Sequence, residues 1–463
     1  MKFLKLMFIL FLTNCIKEIN NSKVKFKNLN EELIIAIEKR NIQKFKYLIK
    51  LGADVNYIFN NKTVIEYAIE NEDLKIIIEL LENENLKYDE NIIDKIYNIS
   101  LNNLNNYPIF LILKKGKIVE KNLIDENKLF LFLCFISNSK IVENFVKDNK
   151  LDPTNTEDKD KRNGLILATL GQKRDVMELL VRNYKININY KDKNGNSALI
   201  LASAYGLEEE LKLLIHLGAD INDKGINEST ALSNLIQNNL PELAKFLIIN
   251  GADLEAKDAF GCTPLMFACE EGNIEIIDML LNKGVDINSK CKEGNTALMY
   301  ALRFKNQEIF KILLEKGANI NEANFDGDTP LILACSNRNE EAAKLLIRKG
   351  ADLSHKNNLG NTPLIIAVVN NLYDIIKILL ENNVQINLAN YKGNTPLIIA
   401  VANRNFQISK ILLDNGANIE DKNDLNLSAF DYSRIDNNPT LYNLLKSAKN
   451  YRTFIKVLRF KSR

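Results

Sequence analysis

The side chains best suited to chemistry in this sequence are six cysteines and two histidines. Neither His216 nor His355 neighbours a cysteine or an acidic pair at metal-ligand spacing, so both read as surface residues. His216 falls late in a helical stretch, where a cation suits the helix dipole. Cys262 and Cys291 lie near successive turns, where exposure is expected, but two thiols without a third ligand do not make a metal site. The pair Glu270–Glu271 reads as solvated helix surface rather than as an acid/base couple. No Walker loop, dinucleotide fingerprint or nucleophile elbow occurs. The sequence offers no catalytic residues, no metal or cofactor site and no small-molecule substrate site.

The remaining cysteine of interest is Cys15. It follows Lys2 and Lys5 and the apolar run Leu6 to Leu12, in the phrase "MKFLKLMFILFLTNC". A basic start, a short apolar core and then a processing site form the layout of an export signal, and the core is too short to span a bilayer. Leu12-Thr13-Asn14-Cys15 resembles the lipobox of bacterial lipoproteins, with Asn14 where that family usually carries Gly, Ala or Ser. The resemblance implies lipidation of Cys15 and a membrane anchor in a bacterial cell envelope, at a membrane or in the periplasm. The alternative is an unprocessed N-terminus on a soluble cytosolic scaffold or a secreted, host-directed effector.

Composition sets wider bounds. Over 463 residues the apolar content is 46% and the charged content 26%, which fits a folded protein rather than a disordered one. Lys plus Arg is 61 against 59 for Asp plus Glu, so no global basic field recruits nucleic acid. Six cysteines in so long a chain are not a disulfide framework. Asn, Ile and Lys are abundant throughout, as an AT-rich genome produces, so their runs carry little functional weight.

What must position any functional residue is a repeated phrase. "NTPLIIAV" occurs twice, with Leu364 in the first copy and Leu397 at the same place in the second. The same register, at a constant shift in numbering, holds Leu199, Leu232, Leu265, Leu298 and Leu331 upstream and Phe430 downstream. A second ladder with the same period runs through Gly218, Gly251, Gly284, Gly317, Gly350, Asn383 and Gly416. In each copy a Thr or Ser N-cap precedes a Pro or Ala that opens a helix with an i, i+3, i+4 apolar stripe. A second amphipathic helix follows and ends at the Gly or Asn, both tolerant of the left-handed conformation. An extended segment such as "ADIN" then leads to a tight turn. One such unit cannot bury its apolar face alone, so it must stack on its neighbours. Cys269 and Cys335 share one repeat position two copies apart, beyond disulfide reach, and together with Cys134 read as small buried side chains.

"GCTPLMFACEEGN" (Gly261 to Asn273), "GDTPLILAC" (Gly327 to Cys335) and "LLEKGANIN" (Leu313 to Asn321) closely resemble the ankyrin repeat. The likeness extends from about Leu33 to Phe430, weakening toward the N-terminus. It implies an all-α repeat solenoid of helix-turn-helix units with β-hairpin loops, about 13 copies of about 33 residues. The family's His after Thr-Pro-Leu is replaced by Ile or Met, so the first helices are expected to be held mainly by apolar packing. The resulting layout is a signal peptide over 1–15, a tether over 16–29, divergent repeats over 30–162, regular repeats over 163–438 and a basic capping helix over 439–463. Within the divergent part, 91–121 keeps helix-like spacing without the Thr-Pro-Leu mark. In the last helix, Leu441, Leu444, Leu445, Ala448, Tyr451, Ile455 and Leu458 form one apolar stripe, beside basic residues that suit a polar outer face or anionic lipid.

The resemblance further implies non-enzymatic protein binding through hairpin tips and the concave face of the first helices. The residues carried over are Phe260, Phe325 and Tyr391 at the tips and Tyr205, Arg303, Phe304, Arg338 and Arg404 on the face. Aromatics and Arg are the types enriched where binding energy concentrates. The expected partner is a protein, with a membrane contact through Cys15.

Overall fold

The computed structural model describes residues 29–89, residues 91–93, 95–96 and 99, and residues 126–304 and 306–461. The export signal with Cys15, the tether over 16–29 except Leu29, most of the helix-like segment 91–121, and the side chains of Ile455 and Leu458 lie outside the described residues. Contacts divide the chain into two compact units, residues 1–201 with 212–218, and residues 202–211 with 219–463.

The second unit makes the repeat plain. Its first helices include Ala231–Gln237, Pro264–Glu271, Ala297–Arg303, Pro330–Ser336, Pro363–Val369, Pro396–Ala402 and Ala429–Ile435. Their partners include Ile274–Asn282, Gln307–Glu315, Glu340–Arg348, Tyr373–Glu381 and Phe406–Asp414. Local chemistry starts each first helix. Thr362 is extended and its hydroxyl accepts from Ile365 N at 3.2 Å, while Pro363 occupies the first turn without wasting a donor. The helix then buries Leu364, Ile365, Ala367 and Val368, and its partner buries Ile375, Ile376 and Leu379. Each such large side chain contributes about 1.5–3 kcal/mol by leaving water. Thr329 and Thr395 cap in the same way, so apolar packing plus a threonine cap holds the first helices without a histidine. Second helices end at left-handed residues, Asn383 (φ 57°) standing in for glycine.

The first unit uses the same device in looser form. Val64–Glu70 begins with a reciprocal capping box between Thr63 and Glu66 and pairs with Leu74–Glu82. Gly164–Leu170 packs against Glu126–Ile136, with Phe130, Phe132 and Phe135 buried. The expected β-hairpins are mostly tight turns. Among the described residues only Ile58–Phe59 and Lys62–Thr63 pair as strands, while other hairpins show single bridges such as Lys224 with Thr230. Two residues a side, followed at once by a helix cap, leave no length for a ladder.

Side chains bond repeat to repeat, and here the asparagines and lysines matter. Asn222 accepts from Asp253 N, Asn288 from Asn319 N, Asn321 from Asp352 N and Asn387 from Asn418 N, each across 31 residues. Asn324, Asn357, Asn390 and Asn423 donate to Asn295, Asp328, Asn361 and Asn394 at 2.8–3.1 Å, each across 29 residues. Lys257, Lys290 and Lys356 each donate to a backbone carbonyl 33 residues on. The bonds from the first set of asparagines and from the lysines satisfy backbone groups that turns would otherwise leave to water.

The chain ends in the helix Pro439–Lys461, capped by Asn438, whose side chain accepts from Leu441 N at 3.1 Å. Leu441 and Leu445 are buried, but Tyr451 is 67% exposed. The expected stripe therefore leaves the core before Tyr451, because the helix outruns the repeat it packs on.

Candidate functional site

The second unit holds a cavity of about 490 Å³ between hairpin turns and first helices. Phe260, Lys292 and Glu293 come from two successive turns; Phe267, Glu270, Tyr300, Arg303 and Phe304 come from two successive first helices. Phe260 sits beside Gly261, whose φ of 75° makes the turn and whose missing Cβ lets the next hairpin approach. A Cβ there would lie 2.9 Å from Lys292 N. Lys292 N donates to Phe260 O at 2.8 Å, which fixes the two turns side by side.

The helix wall is aromatic and charged. Tyr300 and Phe304 rings stack at 6.5 Å between centroids, and the Arg303 guanidinium lies 5.9 Å from the Phe304 centroid. Phe260 is 63% and Phe304 42% exposed, a large apolar area left to water. Burial, with Glu271 adding to it, raises the Glu270 carboxyl above its usual range while Arg303 opposes the shift. Cys262 Sγ lies 3.0 Å from Tyr300 Oη. Burial pushes the thiol to about 11 and the phenol upward too, so both stay protonated at neutral pH. Such a surface offers ring contact, cation–π attraction and charge. Among the described residues no group of three or more His, Cys, Asp or Glu is arranged to hold a metal.

Three of the residues expected at the partner surface, Phe260, Arg303 and Phe304, meet in this cavity. The others lie apart from it. Phe325 and Tyr391 are each 66% exposed at later turns, with the Lys356 amine 5.9 Å from the Tyr391 centroid. Tyr205 is 45% exposed at the end of its helix. Arg338 (φ 54°) and Arg404 (φ 56°) occupy the left-handed position between paired helices. Arg404 is engaged within the fold, its guanidinium 3.1 Å from Asp436 of the next copy.

Several readings change. Cys262 and Cys291 are buried rather than exposed, at 6% and 5%. Glu270 is half-buried on the cavity wall rather than solvated. His355 is half-buried, its Nε2 2.9 Å from Gly327 O, so it ties two hairpins together, while His216 is exposed. Sequence reasoning missed Tyr300 and Phe267. Their signal was register: one period apart, they align with Leu333, Ile366 and Ile399, so two aromatics stand where later copies carry aliphatic residues.

A family model described as ankyrin repeats (3 copies) matches residues 129–225, 232–324 and 321–390, and one described as ankyrin repeats (many copies) matches residues 381–433. A search of curated proteins finds no match. The helix pairs at fixed period, their threonine caps and left-handed stops, and family matches over more than half the chain lead to one conclusion: this chain belongs to the ankyrin-repeat family.

Proposed function

We propose that the chain is a non-enzymatic scaffold that grips a protein partner at the Phe260–Arg303–Phe304 cavity and is held at a bacterial envelope membrane through lipid on Cys15. The observation that carries the binding half is an aromatic cavity flanked by Arg303, Lys292, Glu270 and Glu293, the mixture that concentrates binding energy. The anchoring half rests on the order of Lys2, Lys5, the apolar run and Cys15. No described helix is long and apolar enough to cross a membrane.

A photo-crosslinking residue placed at Phe304 or Phe260, in cells making the full chain, tests the binding half. A single partner captured from both positions, and lost on Arg303→Ala, is expected. Capture from Ile249, which is 72% exposed away from the cavity lining, with none from Phe304 or Phe260 would refute it. For the anchor, mass spectrometry of the native N-terminus should find lipid on Cys15, and Cys15→Ala should leave the membrane fraction. A mutant that pellets unchanged after salt washing would overturn the anchor and favour a soluble scaffold.

A further inference from the structure

The side-chain bonds that link later hairpins are broken in kind at one junction. In register with the donors Asn324, Asn357, Asn390 and Asn423 stands Cys291; in register with the acceptors Asn295, Asp328, Asn361 and Asn394 stands Cys262. Two thiols thus occupy the place where four later junctions put a side-chain hydrogen bond of 2.8–3.1 Å.

The exchange forfeits more than that bond. Asn324 Oδ1 also accepts from Asp326 N and Asp328 N, and Asn390 Oδ1 from Lys392 N and Asn394 N. A cysteine is a poor acceptor for such turns. The turn at Cys291 keeps its backbone bonds, Cys291 N to Asn295 O at 3.0 Å and Gly294 N to Cys291 O at 2.9 Å. What Cys262 has instead is one hydroxyl, Tyr300 Oη at 3.0 Å, and the Cys291 thiol lies near enough to help push both groups upward. The backbones are also close. A Cβ on Gly261 would sit 3.3 Å from Cys291 Cα.

Access separates this pair from the other described cysteines. Cys134, Cys269 and Cys335 are fully buried within helices, whereas Cys262 and Cys291 both line the open cavity. That lining position is where a small disulfide entering the cavity would reach the pair.

We propose that Cys262 and Cys291 are a redox-active pair that closes to a disulfide between consecutive repeats, with a low-molecular-weight disulfide as oxidant. One thiol loses its proton and attacks a sulfur of the oxidant, whose S–S bond breaks and releases a first thiol. The other protein thiol then loses its proton and attacks the mixed disulfide, releasing a second. The pair gives up two electrons and two protons, and the oxidant leaves as two thiols. The bond ties the turn bearing Phe260 to the turn bearing Lys292 and Glu293, and releases the Tyr300 hydroxyl toward the cavity. Oxidation therefore sets one wall of the binding surface.

The test treats the purified full chain with oxidised glutathione, blocks remaining thiols by alkylation in denaturant, and maps peptides without reduction. The expected result is a Cys262–Cys291 linked peptide, loss of both thiols, reversal by dithiothreitol, and a higher midpoint of thermal unfolding. Cys262→Asn with Cys291→Asn, which writes the later junctions' amide pair into this one, should fold as the parent does and show no midpoint shift with glutathione. Cys291→Ser should leave Cys262 as a glutathione mixed disulfide. The proposal is overturned if folded wild-type chain gives only mixed disulfides, loses no thiol, or pairs Cys262 with another cysteine. A double asparagine variant whose midpoint shifts as the wild type's does would also overturn it.

Discussion

Replacing Gly171 by Ala should be far more damaging than replacing Gly218 by Ala, and the structure says by how much. Gly171 follows the helix Gly164–Leu170 with an ordinary φ of −78°, so Ala there carries no conformational cost. Space is the obstacle: its Cβ would sit 2.0 Å from Phe135 O and 2.9 Å from the Phe135 ring. A carbon–oxygen contact needs about 3.2 Å, so backbone must move by about 1.2 Å, separating two helices packed through Phe130 and Phe135. Gly164, one side of the same contact, is already tight, with Cys134 and Phe130 atoms 3.1 Å from its Cβ position. Overpacking against backbone costs about 3 kcal/mol or more. At Gly218 a Cβ meets nothing within 4 Å, and only the left-handed φ of 93° is penalised. That costs about 1 kcal/mol. The difference of about 2 kcal/mol is roughly a 30-fold change in an opening equilibrium. Hydrogen exchange followed by mass spectrometry, on peptides covering 126–136 and 164–170, reads that equilibrium locally. Protection lost no more in Gly171→Ala than in Gly218→Ala would refute the close-approach argument.

Asn390→Ala removes the acceptor for Lys392 N and Asn394 N and the donor to Asn361, and should cost about 2–3 kcal/mol. Exchange at 391–394 should accelerate accordingly, and Asn390→Asp, which keeps the turn acceptors, should fall between. Lys257→Met loses an exposed bond to Lys290 O and should shift stability by under about 1 kcal/mol in urea titration. Glu66 is held below the usual carboxylate range, chiefly by the Thr63 N–H it accepts. A depressed folded value means its stabilisation is complete above the ordinary value of about 4.3 and is lost as pH falls through the folded one. Protection of Val64–Glu70 should therefore fall on acidification, and Glu66→Gln should flatten that dependence; an unchanged profile in the variant would show that another group is responsible.

The period, the helix pairs and their caps were legible because each rests on residues at constant register: Thr362 before Pro363, Leu364 with Leu397, Gly416 with Asn383. The bonds between repeats were not. Asparagine is common everywhere in this chain, and the partners of Asn222 and Asn324 lie 31 and 29 residues away, off the period that drew attention to the leucines. The closeness of Cys262 and Cys291 was hidden similarly, since each lies near a turn and only the fold shows that the two turns face. Phe260, Arg303 and Phe304 were found by residue type and repeat position; Tyr300, Phe267 and Glu270 needed the cavity to become visible.

The asparagine bonds to the backbone of the following copy have an evolutionary consequence. Every such unit ends by offering a side-chain acceptor and begins by offering a backbone donor, so copies are interchangeable parts with one fitting. Asn321 takes the N–H of Asp352, while Ser354, the next residue in that position, turns back on Asp352 instead. Excising residues 322–354 would bring the N–H of Gln385 to Asn321 and restore the fitting across the seam. An excision one residue shorter or longer would leave acceptor and donor out of register at the seam. A recombination that joined the two NTPLIIAV stretches would remove one whole unit in a single step and keep the fitting intact, whereas a point insertion would break it.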